Sequence, residues 1–347
     1  MFSRFYFPHI GGVEKHVQKI SEILLKKGLK ITLVTERFEE KVSKIERING
    51  IDILRVKLLD RKGFVRFFNK FIIWIWLFRN IELIKKADIV HCHDVFFWYL
   101  PFRFIFPKKP IYVTFHGWEG KYPIPKRYIF YRKIWEKLSW GNICVGDYLK
   151  IWYGTKPNFV TYGGVDEDKE DKKLYKHLEG NKVVFVGRLE KDLGLSKYLK
   201  IFEKLREKNK NFIIEFYGNG PLEEKASRYG KVVGFTEKLY DKILDARFIF
   251  ASSYLTVLEA LFFKKNVVFV WENSLKKDYL LLSTFKNFLI YGYEVDKISK
   301  KILCLSKKSK EEEMVEKGYN WAKTQTWEKV ADLYLKLWKV KIPEVST

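Results

Sequence analysis

"VVFVGRLEKDLGL" (Val183–Leu195) and "TVLEALFFKKNVVFV" (Thr256–Val270) decide the fold. In the first, a short β-branched and aromatic run breaks at Gly187 and opens a helix. In the second, an apolar helix leads back into another such run. Strand, turn, helix and return strand make the repeating unit of a parallel sheet covered on both faces. Each stretch also places a charged residue at its junction. Arg188 offers a bidentate fork and Lys191 a point charge, both suited to phosphate. Glu259 is a carboxylate among Leu, Val and Phe, where an acid needs a hydrogen-bonding partner such as a sugar hydroxyl.

The same alternation runs outward from these two stretches. Val13, Val17, Ile20 and Leu24 recur at helical spacing and Gly28 closes that helix. "KITLVTE" reads as a buried strand. "DIVHCHD" (Asp88–Asp94), "IYVTFHG" (Ile111–Gly117) and "NICVGDY" (Asn142–Tyr148) are short apolar strands with polar C-terminal ends, the ends that carry function in parallel sheets. "TYGGVDEDKEDKKLYKHLEGN" (Thr161–Asn181) is rich in charge and glycine and reads as a linker. Beyond it the strands "KVVFVG", "FIIEFYGNGP", "KVVGF", "RFIFASS" and "NVVFV" alternate with helices, and helical material runs from about Glu311 to Val340. The expected organisation is α/β: a first Rossmann-like domain over 1–165, a linker over 166–181, a second domain over 182–320, and a C-terminal helix over 321–347. Only "MFSRFYF" precedes Pro8, so the first strand is expected to be short or missing.

Bulk composition narrows the function classes. The chain has 347 residues, enough for two domains, and 47% hydrophobic content supports real cores. Lys and Arg number 66 against 42 Asp and Glu, a net charge of +24 that favours anionic partners. Aromatics reach 17% with 11 Trp, which suits a membrane interface or base stacking. Cys92, Cys144 and Cys304 are few, odd and far apart, so no disulfide framework is expected and a reducing compartment fits. No signal peptide is recognisable. Abundant charge with few Met resembles thermophile composition.

Further motifs point to binding chemistry. Gly11 and Gly12 in "PHIGGVEKHV" precede a helix whose N-terminus attracts anions. Gly218 and Gly220 in "FYGNGPLEEKA" follow a strand, with Pro221 at a helix start. His116 ends the strand "IYVTFHG". His91 and His93 share a strand face, yet zinc wants more ligands at set spacings, so no metal is expected there. "DED" (Asp166–Asp168) lies in a charge run and reads as solvated linker. "FVRFFNKFIIWIWLFRNIELIKK" (Phe64–Lys86) holds an apolar run from Phe71 to Phe78, bounded by Lys70 and Arg79. It is too short to span a bilayer. With "FFWYLPFRFIFPKKP" (Phe96–Pro110) it reads as a basic, aromatic face for an anionic membrane surface.

These motifs, in this order and spacing from Pro8 to about Trp338, resemble the retaining GT-B glycosyltransferases that include phosphatidylinositol mannosyltransferases and sucrose-phosphate synthases. The resemblance implies two facing Rossmann-like doubly wound domains with a cleft between them, and a last helix that crosses back to the first domain. It implies a nucleotide diphosphate sugar as co-substrate, no cofactor and no metal. It places Gly11 and Gly12 near the donor phosphates and acceptor, His116 beside the transferring sugar, Arg188 on the diphosphate and Glu259 on the ribose. Gly218 and Gly220 would lie near the nucleotide, and Gly234 and Phe235 of "VVGF" near the base. Retention in the family is thought to proceed by front-face attack, the departing phosphate helping to deprotonate the acceptor.

Two positions depart from the family pattern. Its first Glu falls on Ala251, and "SSYLT" replaces the usual Glu-Gly-Phe-Gly. Its Lys falls on Leu193, with Lys191 the nearest substitute. The expectation is a retaining hexosyltransferase acting on a membrane-associated or lipid-linked glycan acceptor, cytoplasmic and peripheral on the inner face of the membrane. The alternatives are a relative that binds sugar nucleotides or glycans with weakened catalysis and, behind it, a nucleic-acid-binding protein. The latter predicts steep salt dependence and leaves the glycine loops and Glu259 unexplained.

Overall fold

The computed structural model describes residues 1–59, 65–117, 120–166, 180–236, 239–305 and 308–341. The chain divides into two compact units, Met1–Thr161 with Trp327–Thr347, and Tyr162–Thr326. The sequence linker beyond Asp166, including Asp168, lies outside the described residues up to 179, as do residues 60–64 before the basic aromatic helix.

The first unit is an eight-stranded sheet in the order β3-β4-β2-β1-β5-β6-β7-β8. Its strands are β1 (Phe2–Ser3), β2 (Thr32–Arg37), β3 (Ile45–Ile48), β4 (Ile51–Lys57), β5 (Val90–His93), β6 (Ile111–Phe115), β7 (Gly141–Val145) and β8 (Phe159–Thr161). All pairings are parallel except β3 with β4. That pair is an edge hairpin turned at Asn49 and Gly50, which take φ of 49° and 84° as a tight primed turn requires. The first strand is two residues long and pairs with β2 on one side and β5 on the other.

Helices cover this sheet. They are α1 (Gly12–Lys26), α2 (Val65–Arg79), α3 (Glu82–Lys86), α4 (Phe96–Ile105), α5 (Lys126–Leu138) and α6 (Tyr148–Trp152). α1 buries Val17, Ile20, Ile23 and Leu24, the stripe the helical spacing implies. The C-terminal helical material is two helices: α13 (Lys308–Ala322), which belongs to the second unit, and α14 (Trp327–Trp338). α14 packs on α1 and buries Trp327, Val330, Ala331, Tyr334, Leu335, Leu337 and Trp338 within the first unit. Among the described residues no helix is long and apolar enough to cross a membrane.

The second unit is a six-stranded, wholly parallel sheet in the order β11-β10-β9-β12-β13-β14. The strands are β9 (Lys182–Val186), β10 (Ile213–Tyr217), β11 (Lys231–Val232), β12 (Phe248–Ala251), β13 (Asn266–Val270) and β14 (Ile290–Gly292). α7 (Leu195–Lys208) packs Leu195, Tyr198, Leu199, Phe202 and Leu205 on Phe185, Phe216 and Phe250 of the sheet. α8 (Glu223–Ser227) follows β10, α9 (Leu239–Leu244) follows β11, α10 (Tyr254–Phe262) follows β12, α11 (Ser274–Leu281) follows β13 and α12 (Val295–Cys304) follows β14. The order of β9, β12 and β13 follows from the near-continuous apolar runs of "VVFV", "FIFA" and "NVVFV". Strands so apolar are covered on both faces and take the middle of a parallel sheet.

Candidate active site

Both units gather their polar side chains at the C-terminal ends of central strands, the ligand-binding edge of open α/β sheets.

In the first unit the strand period sets the arrangement. Alternate residues share a face, so His91 and His93 of β5 lie beside Thr114 and His116 at the end of β6. α1 lays His16 on that face, and α14 lays Tyr334, Trp327 and Trp338 on it. The indole N–H of Trp338 can only donate, and it does so to His91 Nδ1 at 3.0 Å. Neutral His91 therefore carries its proton on Nε2 and donates to Thr114 Oγ1 at 2.8 Å. Thr114 hands its hydroxyl hydrogen to Tyr334 at 2.8 Å. Tyr334 in turn donates to His16 Nε2 at 2.9 Å. One donor-only indole thus orients a relay through four further groups.

His93 Nδ1 and His116 Nε2 share a separate hydrogen bond of 2.9 Å. The buried Nε2 of His93 has no hydrogen-bond partner among the described residues. The backbone N–H of His116 donates to Asp94 Oδ1 at 3.0 Å. Burial holds the His16 pKa down to about 3. Burial, reinforced by the neighbouring imidazoles, holds His91, His93 and His116 well below the ordinary histidine value. Among the described residues no group of His, Cys, Asp or Glu is placed to hold a metal ion.

Gly11 and Gly12 lie at the start of α1. Gly11 is its N-cap in extended backbone, and Gly12 is its first residue. A side chain at 11 would meet the Glu14 carboxylate, which folds back over it and pairs with His9 at 3.1 Å.

In the second unit two loops are stitched together by their backbones. Gly187 N–H donates to Tyr217 O, Leu189 N–H to Asn219 O, and Leu222 N–H to Leu189 O, each at 3.0 Å. Gly218 N–H donates to Gly234 O at 2.9 Å. Gly218 takes φ of 144°, and a Cβ there would run into the Gly187 carbonyl. A Cβ at Gly220 would lie 2.6 Å from Leu189 O. These glycines are accounted for by the close approach of one loop to the other. Gly234 joins the same network, and Phe235 beside it is exposed.

Arg188 extends from this loop with 53% of its side chain exposed and pairs with Glu190 at 2.8 Å. Lys191 and Leu193 form a single 3₁₀ turn ahead of α7. Leu193, where the resemblance expects a lysine, is buried. Glu272, which burial pushes above the usual carboxylate range, feels Lys197, Lys191 and Lys200. Ala251, where the first glutamate is expected, is fully buried; its carbonyl accepts from Tyr198 Oη at 2.6 Å. Ser253 caps α10 by accepting from Thr256 N–H. Glu259 is half-buried on that helix among Val257, Leu258, Ala260 and Leu261.

The structure thus brings Arg188, Gly218, Gly220 and Gly234 into one loop network, and His116 into the histidine cluster. The sequence reading did not reach His16, Tyr334 or Lys276. Lys276 is buried in the first turn of α11, and burial lowers its pKa to about 8. His16 Nε2 and Tyr334 are 318 residues apart, and neither residue type at its position distinguishes the pair.

Residues 10–169 match the family model described as Glycosyltransferase Family 4. Its α/β fold with two parallel-sheet Rossmann-like units is that of GT-B glycosyltransferases. Sucrose-phosphate synthase from Thermosynechococcus elongatus superposes with a TM-score of 0.75 at 13% identity, covering 97% of each chain. WaaG, described as a glycosyltransferase involved in lipopolysaccharide biosynthesis, superposes at 0.68 and 13% identity, over 96% of this chain and 98% of its own. Anabaena HepE, solved with UDP and glucose, gives 0.69 at 12% identity, over 96% and 97%. Among curated proteins, the phosphatidylinositol N-acetylglucosaminyltransferase gpi3 subunit of Schizosaccharomyces pombe is 33% identical over 96 residues, 27% of this chain. The chain spans about a fifth of the length of the curated relatives it matches (20%).

Proposed function

We propose that this protein transfers a hexose from a nucleotide diphosphate sugar to a lipid-linked acceptor, with retention and without a metal. The observation that carries the reading is Arg188, an exposed cation at the C-terminal end of a central parallel strand, just ahead of the α7 N-terminus. A nucleoside diphosphate leaving group develops charge that a fork donor and a helix N-terminus stabilise without a covalent step. Cations already in place make a metal unnecessary for that task. Glu259 would hold the ribose, and His116 would sit beside the transferring sugar.

The lipid acceptor rests on the surface of the first unit. α2 leaves Phe68, Phe71, Ile75 and Phe78 exposed, and its neighbour α4 leaves Phe104 and Ile105 exposed. α5, packed on α4, adds Phe130 and Tyr131. Lys70, Arg79, Lys126 and Arg127 are exposed on the same helices. Apolar side chains with basic neighbours suit an anionic membrane surface. The gpi3 relative, named for phosphatidylinositol, points the same way.

Ala251 and Leu193, both buried and apolar, favour a second reading: a protein that binds the sugar nucleotide without turning it over. One assay separates the two. The protein is incubated with sugar nucleotide and phosphatidylinositol vesicles in EDTA, and the anomeric configuration of any product is read by NMR. An α-glycoside from an α-linked donor supports transfer with retention. A β-product or a magnesium requirement contradicts the mechanism, and donor binding without product supports the second reading. In parallel, Phe71→Ser/Ile75→Ser/Phe78→Ser should lower partitioning onto anionic vesicles about tenfold; unchanged partitioning would remove that face from the acceptor argument.

A further inference from the structure

Lys276 is 5% exposed and occupies the first turn of α11. A cation there opposes the helix dipole, whose positive end lies at the same turn. An ammonium also brings three donors. This one has the Ser252 carbonyl at 3.3 Å and the face of the Tyr279 ring at 4.4 Å. Its charged neighbours are Asp192 and Arg188, both from the loop after β9. Around it α11 buries Leu275, Tyr279 and Leu280, so an apolar side chain would suit the position better on stability grounds alone. Two cations, Arg188 and Lys276, therefore share one field with Asp192, and Arg188 also pairs with Glu190.

The position that the resemblance gives to a phosphate-binding lysine is filled by buried Leu193. Lys191 acts on Glu272. The geometry points to Lys276 as the second phosphate cation of this chain, working with Arg188 on the donor diphosphate. Arg188 approaches the phosphates from the exposed loop, and Lys276 approaches them from beneath, beside the end of β12. This assignment rests on reading the second unit as a sugar-nucleotide site. An anion at this point would relieve both the unfavourable dipole and the repulsion from Arg188. It would also draw a proton onto Lys276, whose pKa of about 8 leaves it partly neutral in mild alkali.

The test uses the full chain, with Lys276→Met and Lys276→Arg. Each protein is titrated calorimetrically with UDP, GDP and ADP and with the matching nucleosides. The buffers are held at pH 8.5 and differ in ionisation enthalpy. Loss of one charge-assisted contact should weaken nucleoside diphosphate binding about tenfold to a hundredfold in Lys276→Met. Nucleoside affinity should be unchanged. Lys276→Arg should keep most of the diphosphate affinity. Wild type should take up a fraction of a proton on binding, and neither variant should. Thermal melts confirm that both variants fold, and the Arg variant keeps the test open if Met does not. Diphosphate binding within about twofold of wild type in Lys276→Met, with the same proton uptake, would overturn the assignment alone. Failure of wild type to hold any of the three nucleoside diphosphates would overturn the sugar-nucleotide reading, and the assignment with it.

Discussion

The strand ends of the two units differ in the charge they keep. At the ends of β5 and β6 the polar groups are imidazoles, packed under α14 and held neutral by burial. At the ends of β9 and β12 they are Arg188 and Lys276, charged or nearly so. Two sheets of the same kind thus present different chemistry at the same edge. A neutral, hydrogen-bonded relay suits hydroxyl groups and precise placement. A cationic edge suits phosphate. Under the proposed function, the acceptor alcohol would meet the first unit and the donor anion the second.

The largest expected effect breaks the first half of that comparison. His16, His91, His93 and His116 stay neutral when folded and take protons when unfolded, near pH 6.5. Below that pH the unfolded chain binds more protons, so stability falls as pH falls, and above it this contribution is constant. Each histidine should cost about 1.4 kcal/mol per pH unit in that window. Hydrogen exchange at pH 7, 6 and 5 should show the first unit loosening steeply while the second changes little. Equal, shallow loss in both units would mean that the imidazoles are not held neutral.

Arg188→Ala tests the other half. It should weaken nucleoside diphosphate binding about a hundredfold and leave nucleoside binding nearly unchanged. Unaltered diphosphate affinity would remove the phosphate role. Next in size is a gain: Lys276→Met should stabilise the second unit by about 2 to 3 kcal/mol at pH 7. The sign follows from a folded pKa near 8 against an ordinary 10.5. The unfolded chain binds more protons between those values, so the penalty is full below pH 8 and fades towards 10.5. Denaturant titrations at pH 7 and 10 should show the gain shrinking, and a pH-independent gain would point to packing instead. The smallest effect sharpens the assignment of Glu259. Its replacement by Ala should lower nucleoside affinity about tenfold and leave pyrophosphate binding intact, and equal nucleoside affinity would dismiss the ribose contact.

Much of the fold was legible because parallel strands buried on both faces spell themselves as short apolar runs. "VVFV", "FIFA" and "NVVFV" needed no partner to be read as strands. The edge hairpin of β3 and β4 was missed although Asn49–Gly50 marks its turn, because its strands are half-polar and carry no continuous run. The break at Thr324–Thr326 between the last two helices was missed because helical spacing continues across it. Arg188 was legible because its junction is local. Gly218 and Gly220 were legible as loop residues, but their packing against Gly187 and Leu189 depends on a second loop about thirty residues away. The relay through His16, Thr114 and Tyr334 depends on side chains brought together from opposite ends of the chain. Lys276 sits in "SLKKDY", where nothing distinguishes a buried lysine from its exposed neighbour.

The central claim is that the second unit binds a sugar nucleotide through its own cations. The most direct measurement is a calorimetric titration of the protein with UDP-, GDP- and ADP-sugars in EDTA, repeated with magnesium. The account predicts binding selective for one base and equally tight with and without the metal. Binding that appears only with magnesium, or none with any of the three, would contradict it.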